Sequence, residues 1–167
     1  MSYQSQCICV HARQIARSVT RVYDEALAPS GLTLAQYALL RAVERNEPAP
    51  IGTLADELDL DRTTLARNLR PLERDGLLAT AVSKADRRVT QARLSARGRQ
   101  VLALAVPLWR VAQAHIEARI GGRRARMLRE LARALPDALR EPAVAAAPAV
   151  RKPAALKPAP LKRAASG

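Results

Sequence analysis

Residues 53–78 read TLADELDLDRTTLARNLRPLERDGLL, and the spacing of leucine within them decides the fold. Leu54 and Leu58, then Leu65, Leu69 and Leu72, recur at the helical period and supply the buried faces of two successive helices. Thr53 with Asp56, and Asp61 with Thr64, supply the helix-start signals, and Gly76 closes the second helix. The stretch therefore predicts a short helix, a tight turn and a longer helix. On that longer helix Arg62, Thr63, Arg67 and Arg70 avoid the leucine stripe and are free to face a groove, with Thr64 and Asn68 beside them. An ordinary amphipathic hairpin with an arginine-rich outside shares this pattern, so the flanking sequence must decide between the two.

Residues 77–94, LLATAVSKADRRVTQARL, place strand formers on both sides of the polar tip SKADRR. This predicts a β-hairpin whose tip carries Lys84, Arg87 and Arg88. Two helices followed at once by a basic-tipped hairpin make a winged helix-turn-helix, with one helix in the DNA major groove and the wing on the backbone or in the minor groove. Charge agrees. Residues 24–61 hold eight acids against Arg41 and Arg45, a balance of −6, whereas residues 62–99 hold ten bases against Glu73, Asp75 and Asp86, a balance of +7. The whole chain carries +13 with a pI near 11.2, which favours an anionic partner and, with this boundary, double-stranded DNA on one face.

Upstream, Ile8, Ala12, Ile15, Val19, Val22 and Ala26 step by four and three, predicting a helix over about 6–28 with a buried seam. Pro29, Ser30 and Gly31 stop it, Thr33 and Gln36 form a capping box for a helix LAQYALLRAVERN, and Pro48 and Pro50 break the chain. Downstream, Ser95 starts a long helix to about Ile120, and a further one spans 122–139 with Met127, Leu128, Leu131, Leu135 and Leu139. Pro71 and Pro107 are expected to kink their helices. The expected architecture is mainly α with a small β-hairpin wing. A domain over 1–140 has its DNA-binding part at 33–94 and dimerisation helices at 6–28 and 95–140. Residues 141–167, rich in Ala and Pro and with five bases and no acids in the final 26 residues, are expected to be a disordered tail, either inert or a nonspecific DNA-binding arm.

Other classes find little support. The core is aliphatic, since aromatics are 2% of the 167 residues and Phe is absent. Two cysteines are no disulfide framework, and no run approaches the ~20 apolar residues of a membrane span, so a cytoplasmic, nucleoid-associated protein without a membrane partner is expected. His11 and His115 are isolated, neither a catalytic triad nor a glycine-rich phosphate loop occurs, and no cofactor is expected. Cys7, Cys9 and His11 would share a face only on a strand, so the helical register argues against a metal site.

The run LARNLRPLERDGLL, then DRR, then LSARG resembles the MarR family of bacterial transcription regulators. That family's wing carries Asp-x-Arg, matched by Asp86 and Arg88, and then a helix start matched by Leu94, Ser95 and Gly98. The resemblance, over 6 to about 140, implies a two-fold dimer whose terminal helices interlock and whose paired winged helices read a near-palindromic operator. Arg88 would enter the minor groove, steadied by Asp86.

Both cysteines lie in SQCICVHAR, residues 5–13, in the opening turns of the first helix. The positive end of a helix and the Arg13 cation one turn beyond Cys9 favour anionic sulfur, although a cysteine is also a small hydrophobe, most often buried and inert. QCICVHARQIARSVTRVYDEAL further resembles the first helix of the organic-hydroperoxide repressors within the MarR family. There a sensing cysteine lies fourteen residues before a supporting tyrosine of the partner subunit, which implies that pairing for Cys9 and Tyr23. On one helix the two lie ~21 Å apart, so they can meet only across a dimer. The chain departs from those sensors at Arg13 and Leu34, where they carry further tyrosines, and has no distal second cysteine. Cys7 could resolve an oxidised Cys9, but residues two apart on a helix point ~200° away from each other, so the first turn would have to unwind. Three functions follow: a repressor released by oxidation of Cys9, the same repressor released by a small aromatic acid or phenol, and a nonspecific architectural DNA-binding protein.

Overall fold

The computed structural model describes residues 6–139. The chain falls into two compact units, Met1–Gly122 and the segment from Arg123 onward. Within the first, α1 (Ile8–Leu27) passes through a 3-10 turn at Ala28–Ser30 to α2 (Leu34–Asn46). Then come β1 (Ala49–Pro50), α3 (Ile51–Glu57), α4 (Arg62–Arg74), β2 (Leu78–Val82), β3 (Thr90–Leu94) and α5 (Ala96–Ile120). The strands form one antiparallel sheet in the order β1-β3-β2, with Leu78 opposite Leu94 and Val82 opposite Thr90.

Local signals set most of these boundaries. Thr33 and Gln36 form the reciprocal capping box at the start of α2. Asp61 caps α4 through Thr64, and Ser95 caps α5 through the Gly98 amide at 2.9 Å. The α4 C-terminus closes on Gly76, at φ +69°, whose N–H donates to the Glu73 carbonyl while Leu77 N–H donates to that of Leu72. Leu72 and Leu77 are both buried across that turn.

The core is aliphatic, as composition requires. Leu27, Leu40, Leu54, Leu65, Leu72 and Leu102 are shut off from solvent, and each such burial contributes about 1.5–3 kcal/mol of transfer free energy. Among the described residues aromatic packing gathers at one place, where Trp109 stacks on Tyr23 (centroids 6.2 Å) and Tyr37 (5.9 Å) and ties α1 and α2 to α5.

Three expectations need correction. Residues 49–50 do not merely break the chain: Ala49 pairs with Ala92 and Pro50 with Gln91, which a proline permits at a sheet edge. The helix expected to start at Thr53 starts at Ile51 with Pro50 as its N-cap, so Thr53 and Asp56 are not its capping pair. Neither Pro71 nor Pro107 ends its helix, as α4 and α5 continue through them. The seam of α1 is buried only in its second half, where Tyr23 and Leu27 are covered, while Ile8 is 79% and Ile15 46% exposed. The first turns of α1 extend past the core of their own protomer.

The second unit contains most of α6 (Gly122–Ala138), an amphipathic helix whose Met127, Leu128, Leu131 and Leu135 are exposed. Among the described residues no helix is long and apolar enough to cross a membrane. The expectation for 141–167 lies outside the described residues.

Candidate DNA interface and thiol site

Helix α4 presents its arginines because its leucines are fixed from below. Leu65, Leu69 and Leu72 are buried, and on the opposite face Arg62, Thr63, Arg67 and Arg70 are exposed, with Asn68 half-buried at the margin. Thr64 differs from the others. Its N–H donates to Asp61 Oδ1 at 2.8 Å and its hydroxyl to Asp61 Oδ2 at 2.7 Å, so it serves the N-cap rather than standing free for a groove. These two hydrogen bonds hold the Asp61 carboxyl below its ordinary range.

The wing is held as firmly. Ser83 N–H donates to the Val89 carbonyl at 2.7 Å, closing the tip, and Asp86 Oδ1 accepts the Arg88 N–H at 2.9 Å while lying 3.6 Å from Arg88 Nε. Asp86 thus braces the backbone under an arginine whose side chain is 94% exposed. Lys84 and Arg87 are exposed on the same tip. At the base of the wing, Glu73 Oε1 accepts both the amide (3.1 Å) and the hydroxyl (2.5 Å) of Thr80, tying β2 to α4.

The acid-rich segment upstream works inside the scaffold. Glu57 of α3 accepts from Arg45 and Asn46 of α2, and the Arg45 hydrogen bond is the main cause holding its carboxyl below the usual range. Glu47 pairs with Arg99 of α5 at 2.8 Å and raises the affinity of that guanidinium for its proton. These acids neutralise bases away from α4, leaving Arg62, Arg67, Arg70, Lys84, Arg87 and Arg88 as the cationic face.

Sequence reasoning singled out Ser95 and Gly98 as a motif without its physical cause. Ser95 Oγ donates to the Gly76 carbonyl at 2.6 Å, and Ser95 N–H to that of Leu77 at 3.1 Å. A Cβ at position 98 would lie 1.9 Å from the Leu77 carbonyl oxygen, so only glycine lets α5 start against the end of α4. A glycine placed inside a helix, where it costs ~1 kcal/mol against alanine, was the available signal.

At the thiols, Cys7 is the N-cap of α1 in extended conformation and its carbonyl accepts from Val10 and His11, so it stands outside the helical turn expected for it. Cys7 is half-buried; Cys9, the second helical residue, is exposed, as is Arg13. Tyr23 is committed within its own protomer: its ring stacks on Trp109 and its hydroxyl donates to Gln113 Oε1, leaving it 8% exposed. The phenol is therefore a structural tie between α1 and α5, which argues against the support role that the resemblance implies. Among the described residues no group of three His, Cys, Asp or Glu side chains could hold a metal ion.

This arrangement of α4 and wing recurs in solved structures. The M. tuberculosis transcriptional regulator MosR in complex with DNA is 38% identical, with 80% of this chain and 99% of that one covered and a TM-score of 0.71. The sequence pattern of the MarR family matches residues 30–89. The chain belongs to the MarR family. As a MarR regulator it is a DNA-binding transcriptional regulator, and the transcriptional repressor CouR bound to a 23-mer DNA duplex is also similar: 26% identical, with 79% of this chain and 94% of that one covered and a TM-score of 0.70. Staphylococcus epidermidis SarZ, an HTH-type transcriptional regulator, is 29% identical over 100 residues, which are 60% of this chain and 68% of that protein.

Proposed function

We propose that this MarR regulator is a cytoplasmic repressor that binds a near-palindromic operator as a homodimer and is released when Cys9 is oxidised. In the DNA-bound form α4 lies in the major groove with Arg62, Thr63, Arg67, Asn68 and Arg70 toward the bases and backbone, and Arg88 of each wing enters the minor groove. Lys84 and Arg87 hold the phosphates. DNA-bound MosR and CouR support this placement.

The observation that carries the redox part is the position of Cys9. It is exposed at the second residue of α1, four residues before Arg13, on a helix end whose Ile8 and Ile15 lie bare in the protomer. Such an apolar helix end suits packing against a second subunit. A polar sulfenic acid, or a mixed disulfide formed from it by a small thiol, would then add bulk where two copies meet and shift the half-site spacing. The sensing set is Cys9 with Arg13, and Cys7 as a nearby second thiol.

A second reading has its own observation. An apolar cleft of about 310 Å³ between α1 and α5 is lined by Val19, Val22, Ile116 and Ile120 with His115 and Arg119, a setting for a small aromatic acid. The separating experiment measures operator affinity for reduced, peroxide-treated and alkylated protein. Loss of DNA on oxidation, blocked by prior alkylation, supports the thiol reading; no change under oxidant, with release by aromatic acids, supports the cleft.

A further inference from the structure

Helix α4 meets the wing at its base, where Glu73 holds Thr80, and beside that contact lies an open groove of about 600 Å³ whose lining includes Leu69 and Val89. Its walls carry Arg62 and Arg70 from α4, Arg88 and Thr90 from the wing, and Thr53 from α3. Two acids also line it, Asp56 and Glu73. They are not equivalent. Glu73 is engaged by the amide and hydroxyl of Thr80, whereas Asp56 is exposed on the α3 wall.

Duplex geometry gives this groove an occupant. A helix in the major groove and a wing in the adjacent minor groove stand on opposite sides of one sugar–phosphate strand, because that strand is the ridge separating the two grooves. The strand must therefore pass through the space between α4 and the wing. The guanidiniums of Arg62 and Arg70 and the exposed hydroxyls of Thr53 and Thr90 suit phosphate oxygens there, and a bare carboxylate opposes them.

We infer that, where the strand separating the two grooves passes between α4 and the wing, Thr53 and Thr90 donate to its phosphates and Asp56 forms an anionic wall that lowers the affinity. Neither threonine nor the aspartate belongs to the residue set that reads the DNA above, and the inference rests on that DNA-bound arrangement. For a chain of charge +13, a carboxylate at the backbone seat restrains binding to any duplex.

Phosphate contacts are independent of sequence, so the test uses the full chain and a short duplex of arbitrary sequence alongside an operator selected from random DNA. Thr53→Val and Thr90→Val should each weaken binding to both duplexes by about threefold to tenfold, as for one hydrogen bond lost. Asp56→Asn should tighten binding to both by about threefold or more, with the gain shrinking as salt rises. Arg67→Ala and Arg88→Ala serve as the reference. If these two lose DNA while the threonine and aspartate variants all bind like the parent, the backbone seat is wrong and the reading of α4 and wing stands. If inorganic phosphate at moderate concentration displaces neither duplex more than an equal ionic strength of chloride does, a strand rather than a free anion is the occupant; phosphate-specific displacement abolished by Thr53→Val would make the groove a small-anion site and overturn the inference. Normal binding by both arginine variants would instead remove the DNA-bound arrangement itself.

Discussion

Ser95 Oγ donates to the Gly76 carbonyl at 2.6 Å, so the residue that caps α5 also satisfies the residue that terminates α4. With Gly98 set against the Leu77 carbonyl, α4 is joined to the long helix that reaches α1 through Trp109. Contacts therefore run from α1 to α4 by way of α5, through stacked rings at one end and close-packed backbone at the other.

Gly98→Ala should destabilise the protein although alanine is the better helix former, because its methyl would lie on the Leu77 oxygen. Ser95→Ala should cost about 1 kcal/mol through loss of the cap. Thermal unfolding checks both, and an unchanged or raised melting temperature for Gly98→Ala would refute the close approach.

The Asp61 cap predicts a pH dependence of defined sign. Its folded pKa is lowered from the ordinary 3.8, so its contribution is full above that value and is lost as pH falls through the folded one. Asp61→Asn keeps a capping side chain and should match the parent near neutral pH while losing less stability in acid. Unfolding midpoints recorded at descending pH would show it; parallel curves would contradict it.

Tyr23→Phe should keep the stack on Trp109 and lose only the Gln113 hydrogen bond, at about 0.5–1.5 kcal/mol. Its oxidant response should equal that of the parent, read as the peroxide concentration that halves DNA binding. A marked loss of response would restore the partner-subunit role for the phenol.

Arg67→Ala should lose preference for the operator over arbitrary DNA, whereas Arg88→Ala should weaken binding to both and flatten its salt dependence. Affinities across a salt series separate the two. Equal loss of preference in both would place Arg88 on a base rather than on the backbone or in the minor groove.

What the sequence made legible was local. The Thr33–Gln36 box, the Asp61 cap, the leucine period of α4 and the strands around the wing tip each depend on residues within one or two turns. What stayed hidden depended on distant partners: Ala49 and Pro50 become a strand only because Ala92 and Gln91 arrive beside them. The Tyr23 hydroxyl is claimed by Gln113, 90 residues away, which no spacing within α1 announces. The exposure of Ile8 was not legible because an apolar helical period is the same whether or not the protomer's own core covers it.

The most direct test of the thiol-released repressor is operator affinity before and after peroxide for the parent, Cys9→Ser and Cys7→Ser. The account predicts that all three bind when reduced, that the parent and Cys7→Ser release DNA on oxidation, and that Cys9→Ser stays bound. Release of Cys9→Ser under the same oxidant, as complete as that of the parent, would contradict it.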